Sequence, residues 1–474
     1  MAEGTVPART DSVALGGPAV TAVFGGGALG LTVALRQAQQ GQRVVVFERE
    51  PEAGGLAAGF QPAPDLPGGG PYLEKFYHHI FRSDTSIVAL VDELGLGDRL
   101  VWPKPINAVL HQGKTWQPYT PLGLLRFSPL NLPDRLRLGA VMALLKLQKN
   151  YRVFEVDTAH DWLQRWMGTR AYEVLWQPLL RAKFGDRFDQ ISMAWFWARI
   201  YSRSFALGYL RGGFQLLYDA LVREIERLGG HVLLGHEVVE ARHEPGEENG
   251  AWRVRWRVSG RKGHDGLAPE AVQESRFGRV VSTLPTRVTV RLVPQLPEDY
   301  RARYDWGEAY GAHCLILALD RPLLPGGVYW LNVNDPSYPF LVLVEHTNYM
   351  PATEYGGKHL VYLGNYLPMD HPLFRRSKDE VLAEFLPAIR RIVPAFQDSW
   401  VTQSWSFGAP YAQPIVTREF PQHIPPFKTP LPNLWVGSMF QVYPQDRGQN
   451  YSIALADRLV QEMESEPPLP LGEA

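Results

Sequence analysis

Residues 23–30 read Val-Phe-Gly-Gly-Gly-Ala-Leu-Gly and set Gly25, Gly27 and Gly30 at G-x-G-x-x-G spacing. Glycine is common, so the spacing alone means little. Here an apolar run at 19–24 precedes it, a helical pattern at 28–40 follows, and Glu48 closes the next apolar run at 43–47. That context fits a dinucleotide cradle. Gly25 permits a tight turn, Gly27 lets backbone approach a pyrophosphate, and Gly30 lets helix and strand pack closely. The helix start offers free N–H groups and partial positive charge. Glu48 would accept hydrogen bonds from ribose hydroxyls. Its charge would repel a ribose phosphate, which disfavours NADP.

Other residues could do chemistry. Lys75-Phe76-Tyr77-His78-His79-Ile80-Phe81 is aromatic and basic, and His78 or His79 could guide a proton or hold an anion. In an extended run neighbours face opposite ways, so only one of them would face a ligand, and no metal site is expected. A structural role for both stays equally open. Arg199 and Arg203 lie beside Trp195, Phe196, Trp197 and Tyr201, and Arg211 follows as a third candidate anion clamp. Arginines beside aromatics suit carboxylates or phosphates on an apolar body; solvated arginines on an aromatic core helix would look the same.

These residues need elements to position them. Strand, glycine turn, helix and strand over 19–47 make one βαβ unit of a parallel sheet. Residues 86–205 read mainly as helices, at 85–94, 134–149, 158–166 and 170–180. An amphipathic helix at 215–228 ends at Gly229-Gly230. Strands follow at 231–234, 237–242, 252–258 and 276–283, with a polar, mobile loop expected at 259–275. Residues 292–422 read as mixed strands and one helix, 379–392. A short strand at 434–437 and a helix at 452–463 close the pattern.

Glu48-Arg49-Glu50-Pro51-Glu52-Ala53-Gly54-Gly55-Leu56 resembles the flavin amine oxidase superfamily. That superfamily includes protoporphyrinogen oxidases, phytoene desaturases and UDP-galactopyranose mutases. Two later segments share the resemblance: Arg211-Gly212-Gly213-Phe214-Gln215 through Glu237-Val238-Val239, and Asn433 to Gly437 with Asp446-Arg447-Gly448-Gln449-Asn450-Tyr451. The resemblance implies FAD, with Gly54 and Gly55 at its pyrophosphate and backbone near Val238 at the adenine. It implies that the segment from Gly437 and the helix start at Gln449, Asn450 and Tyr451 meet the flavin. It also puts the His78-His79 run beside the flavin ring. The family's lysine near the reactive nitrogen has no matching position; Lys183, in a cavity-like segment of the desaturase branch, is the candidate. With Cys314 the sole cysteine and none near the C-terminus, the FAD is expected to be non-covalent.

The implied fold is α/β: a Rossmann-like FAD-binding domain interleaved with an α+β substrate domain, the amine oxidase-type two-domain flavoprotein. The expected FAD domain takes 18–82, 211–290 and 430–464; the substrate domain takes 83–210 and 291–429. Residues 1–17 and 465–474 read as flexible tails. Among 474 residues are 14 Trp, 20 Tyr and 21 Phe, suited to lining a site for a bulky ligand or to filling a large core. A net charge of -1 gives no pull toward nucleic acid. No apolar stretch approaches the ~20 residues that span a bilayer, and no secretory signal is visible. The expected location is cytoplasmic, with a peripheral membrane contact around 122–127 if apolar residues there are exposed; oligomeric state is open. The expected function is hydride transfer from a bulky, partly apolar C–H or C–N substrate to the flavin. Two alternatives are a non-redox mutase acting on a nucleotide sugar, clamped by Arg199, Arg203 and Arg211, and a flavin-free binding protein of the GDP dissociation inhibitor type.

Overall fold

The computed structural model describes residues 15–246, 251–259 and 272–465. Most of the expected tails and the loop at 259–275 lie outside these residues. Gly17 and Gln273 each already begin a strand.

One sheet is built around Gly17–Phe24. Its parallel core runs His231–Leu234, Arg43–Glu48, Gly17–Phe24, Gln273–Ser282, Leu434–Val436. The first half of Gln273–Ser282 pairs antiparallel with Trp252–Val258, which pairs with His236–His243. The run Val44-Val45-Val46-Phe47 is apolar at every position because both faces are covered. Val44 and Val46 pack in the core that holds Ala28–Gln39, Gln215–Arg227 and Gln449–Glu464. Val45 and Phe47 face Trp252, Trp256 and Phe277. From the central strand Gly17–Phe24 the chain turns off to one side into Ala28–Gln39, while Gln273–Ser282 lies on the other side. A crevice therefore opens beyond the carboxyl ends of these strands.

The second sheet has the order Val401–Pro414, Ala309–Leu319, His359–Leu367, Val342–Glu345, Val328–Val333, Ile106–His111, Lys114–Trp116. Only Val328–Val333 and Ile106–His111 are parallel. Helices between 85 and 202, including Leu132–Leu147, Ala159–Met167 and Met193–Ser202, pack an aromatic core beside it. This is the interleaved two-domain α/β architecture, with sheet and helix in the second domain.

Several local expectations need correction. The stretch 86–205 contains the hairpin Ile106–His111/Lys114–Trp116, whose two-residue turn puts Gln112 at φ 50° and Gly113 at φ 72°. Both positive values define the turn that matches strand twist, but glutamine is not the usual residue there, so the signal was hidden. The helix expected at 170–180 is broken by a wide turn, Tyr172–Trp176, before Gln177–Phe184. Pro178 lacks the N–H that a continuous helix needs. Thr286–Leu292 and Glu298–Tyr304 are two short helices, each entered from a proline, where no helix was expected. The last helix begins at Gln449, three residues earlier than its periodicity suggests.

At Gly30 an added Cβ would sit 1.9 Å from the Gly25 carbonyl oxygen. Gly30→Ala is expected to force the glycine turn apart and cost about 1–3 kcal/mol, as overpacking does. Urea denaturation of the variant beside the wild type checks this.

Candidate functional site

One cavity of about 820 Å³ runs from the glycine turn to the second sheet. At its first end the three fingerprint glycines do different things. Gly25 adopts φ +103°, and a Cβ there would lie 2.7 Å from Thr283 Oγ1. Gly30 is closed by the contact just described. At Gly27 a Cβ would meet nothing nearer than Gly55 Cα at 4.0 Å. The protein thus leaves space beside Gly27 while packing the other two. Gly54 N donates to Gly26 O at 2.8 Å, so the two glycine segments lie side by side.

Glu48 is held at the rim of this space. Its Oε2 accepts from Gly26 N at 2.7 Å and its Oε1 from Glu50 N at 2.8 Å. Burial pushes its carboxyl up, and the two backbone N–H groups pull it back. Each oxygen keeps acceptor capacity after one bond. Val238, on the strand His236–His243, also lines the cavity.

The last helix points its N-terminus into the cavity. Its cap, Gly448, has no side chain to satisfy the first N–H groups. Gln449, Asn450 and Tyr451 line the cavity, but their side chains are largely committed. Gln449 Oε1 accepts from Tyr218 OH at 2.5 Å. Asn450 Oδ1 accepts from Ser86 N at 2.9 Å and Ile87 N at 3.2 Å, capping Thr85–Glu93 across the fold. The helix's own cap, Asp84, turns its Oδ2 back to Phe81 N. What this segment offers a ligand is therefore mainly backbone N–H groups.

The far end is a cationic chamber in which Lys183 is buried, Asp446, Arg199 and Arg447 are half-buried, and Arg203 is exposed. Asp446 accepts from Lys183 Nζ at 2.9 Å, from Trp195 Nε1 at 3.2 Å and from Arg199. Arg447 donates to Tyr366 OH at 2.6 Å, and its Nε is buried without a partner. Arg203 stands over the Tyr119 ring, 5.6 Å from its centre. Lys183, Arg199 and Arg447 thus share one carboxylate, and Arg203 adds a further cation beside Arg199. Burial alone would raise the Asp446 carboxyl, but Lys183, Arg199 and Arg447 hold it well below the usual range. Burial and then the Arg199 charge pull the Lys183 amine down against the opposing pull of Asp446.

His78 and His79 both line the cavity, contrary to the alternation expected of an extended run. The chain between Glu74 and Ile80 bends and pairs with no strand. His78 Nδ1 lies 2.7 Å from Phe76 O. A carbonyl only accepts, so Nδ1 carries the proton and Nε2 is a free acceptor. Burial is the main cause that lowers His78 to about 4 and His79 to about 3, so both are neutral at pH 7.

The structure therefore brings Gly25, Gly27, Gly30, Glu48, Gly54, Gly55, His78, His79, Lys183, Arg199, Arg203, Val238, Gln449, Asn450 and Tyr451 to one cavity. It does not bring Arg211 there. That side chain is more than half exposed and pairs with Glu354 at 3.1 Å, because its backbone N–H bonds Arg99 O at the outer end of Leu207–Leu210. Gly437 is also off the cavity wall: a Cβ there would strike Leu459 Cδ1 at 2.6 Å, while Ser438 and Met439 line the cavity instead. Asp446, Arg447 and Tyr366 had no assigned role in the sequence. The placement of Asp446-Arg447 immediately before the last helix was the only hint.

A dinucleotide turn, a capless helix start and a second sheet closing over the cavity define a flavoprotein-type two-domain fold. The chain belongs to the family of flavin-containing amine oxidoreductases, whose model matches residues 30–441. Solved structures share the fold. A "Putative protoporphyrinogen oxidase" from Exiguobacterium sp. 255-15 is 16% identical, with a TM-score of 0.70 over 94% of this chain and 99% of that one. A reduced UDP-galactopyranose mutase is 13% identical, with a TM-score of 0.68 over 94% of each chain. Cyclohexylamine oxidase from Brevibacterium oxydans IH-35A is 14% identical, with a TM-score of 0.63 over 94% and 99%. No curated protein sequence matches the chain. Among the described residues no helix is long and apolar enough to cross a membrane.

The residues present fit a flavin dinucleotide. The space at Gly27, the oriented Glu48 and the free N–H groups at Gln449 are the donors, acceptors and room that such a group requires.

Two outcomes are expected. Asn450→Ala should cost about 1 kcal/mol through the lost cap on Thr85–Glu93, measured by denaturant unfolding. Below about pH 6.5 the unfolded chain takes up protons that folded His78 and His79 refuse, so stability from these two falls as pH drops toward 4. A His78→Asn/His79→Asn variant should show a shallower loss of unfolding midpoint between about pH 6.5 and 4 than the wild type.

Proposed function

We propose that this protein is an FAD-dependent oxidoreductase that removes hydride from a bulky, partly apolar substrate carrying a carboxylate or phosphate. The observation that carries this reading is the continuity of one cavity from the Gly27 and Glu48 end to the cation chamber. Bound flavin supplies a two-electron acceptor. Glu48 holds the ribose, and backbone beside Gly27 and Gly55 approaches the pyrophosphate. The N–H groups at Gln449–Tyr451 would favour negative charge on a flavin bound beside them.

At the other end, Lys183, Arg199 and Arg447 exceed the one carboxylate they share, with Arg203 beside Arg199, so an anionic group restores charge balance. Asp446 keeps Lys183 and Arg199 in place and limits their mutual repulsion. Tyr77, Trp330 and Tyr366 line the walls and suit a flat or apolar body. Neutral His78 and His79 can accept hydrogen bonds or relay a proton but are not acids at pH 7.

Non-covalent attachment is supported by Cys314, whose buried thiol is pushed well up and is therefore a poor nucleophile. The absence of any other cysteine also suits a reducing, cytoplasmic setting. A nucleotide-sugar mutase is the second reading. The arginine chamber, which would equally hold a diphosphate, favours it, though without Arg211. A flavin-free binding module is disfavoured by the space kept open at Gly27. Turnover of a UDP-sugar only after chemical reduction of the flavin would favour the mutase.

Glu48→Ala is expected to weaken FAD retention by about 1.5–3 kcal/mol, roughly tenfold to a hundredfold in affinity, through loss of a charged acceptor. Reconstitution of apoprotein with FAD, followed by fluorescence, measures it. Unchanged affinity would remove Glu48 from the cofactor site.

A further inference from the structure

The helix Leu132–Leu147 carries two apolar faces. Leu138, Val141 and Leu145 are buried against the aromatic core. Leu132, Leu136, Leu144 and Leu147 are exposed, Leu136 at 58% and Leu147 at 80%. With Ala140 and Ala143 they form one stripe roughly 160° from the buried face at 3.6 residues per turn. Leu122 and Leu125 of the adjoining helix Pro121–Leu125 are exposed as well, while Phe127 is buried. The expected contact region at 122–127 is thus one edge of a larger surface. Contiguous leucines on an exposed face mark a docking surface.

The charge around the stripe decides the occupant. Residues 121–153 hold six Lys and Arg against one carboxylate, Asp134, in a chain of net charge -1. None of the six forms an ion pair among the described residues. Arg135 donates to the carbonyls of Leu130 and Leu125, Arg137 to those of Trp166 and Arg165, and Lys146 to those of Tyr201 and Arg203. Their charges are held beside the leucines and not neutralised. A two-fold contact with a second copy would set these cations against themselves. A negatively charged bilayer surface would satisfy leucines and cations together. Lys146 also ties this helix to the main chain of Tyr201 and Arg203, beside Ser202 and Arg203 of the cavity wall.

We propose that the exposed face of Leu132–Leu147, with Leu122 and Leu125, docks the protein on anionic lipid, the leucines entering the interface and Arg126, Lys149 and Arg152 meeting headgroups. The docking is peripheral and does not depend on which substrate the cavity takes.

The test uses the full-length holoprotein and sedimentation with vesicles of phosphatidylcholine, with and without about 30% phosphatidylserine. The wild type is expected to sediment with the anionic vesicles only and to be released as salt rises from about 0.1 M to 1 M. Leu136→Glu/Leu147→Glu alters two mostly exposed positions, so its thermal melt should stay close to the wild type while vesicle affinity falls at least about tenfold. Lys149→Glu/Arg152→Glu is a second variant with the same expectation. Three results would overturn the proposal: no binding by the wild type, equal binding by both variants, or a wild-type dimer that the leucine variant dissociates without any vesicle binding.

Discussion

One carboxylate gathers cations from both halves of this protein. Asp446 lies in the loop that leads into the last helix, and Lys183 and Arg199 reach it from two helices of the second domain. A lone buried carboxylate would be costly, and so would the clustered cations without it. The group is stable only when helices Gln177–Phe184 and Met193–Ser202 stand at a fixed distance from the start of Gln449–Glu464. The group leaves the chamber with more positive than negative charge, which makes it a receptor for an anion.

The glycine turn imposes a separate constraint at the other end. Gly25 is needed for its backbone angle and Gly30 for close packing; only Gly27 leaves space that the protein itself does not use. Glu48 is pinned to Gly26 and Glu50, so the acceptor is oriented before any ligand arrives. Between the two ends, Asn450 caps a helix that begins more than three hundred residues earlier in the chain. The start of the last helix is thereby fixed by the segment that follows the His78-His79 bend.

Much of this was legible in the sequence. Local rules govern the βαβ unit, and G-x-G-x-x-G, Glu48 and Gly54-Gly55 all reach one cavity. Residues whose position depends on packing at a distance were harder to read. Arg211 looked like a clamp beside two glycines, yet its strand end faces outward and Glu354 takes its charge. An extended His78-His79 run would have sent only one ring to the cavity, but a bend sends both there. Gln112 hid a hairpin because the tightness of a turn is not fixed by glutamine. Asp446 and Arg447 offered only the hint of their place before the last helix, since their role comes from Lys183, Arg199 and Tyr366, all distant in sequence.

Anaerobic addition of candidate substrates to the FAD-loaded protein, followed by its visible spectrum, tests the central reading most directly. A porphyrinogen, a polyene precursor, several amines and a UDP-sugar would be added one at a time. Bleaching of the oxidised flavin bands is expected with one of these, and with a carboxylate- or phosphate-bearing compound in preference to its neutral analogue. Failure of the protein to take up FAD at all would contradict the reading from the glycine turn onward.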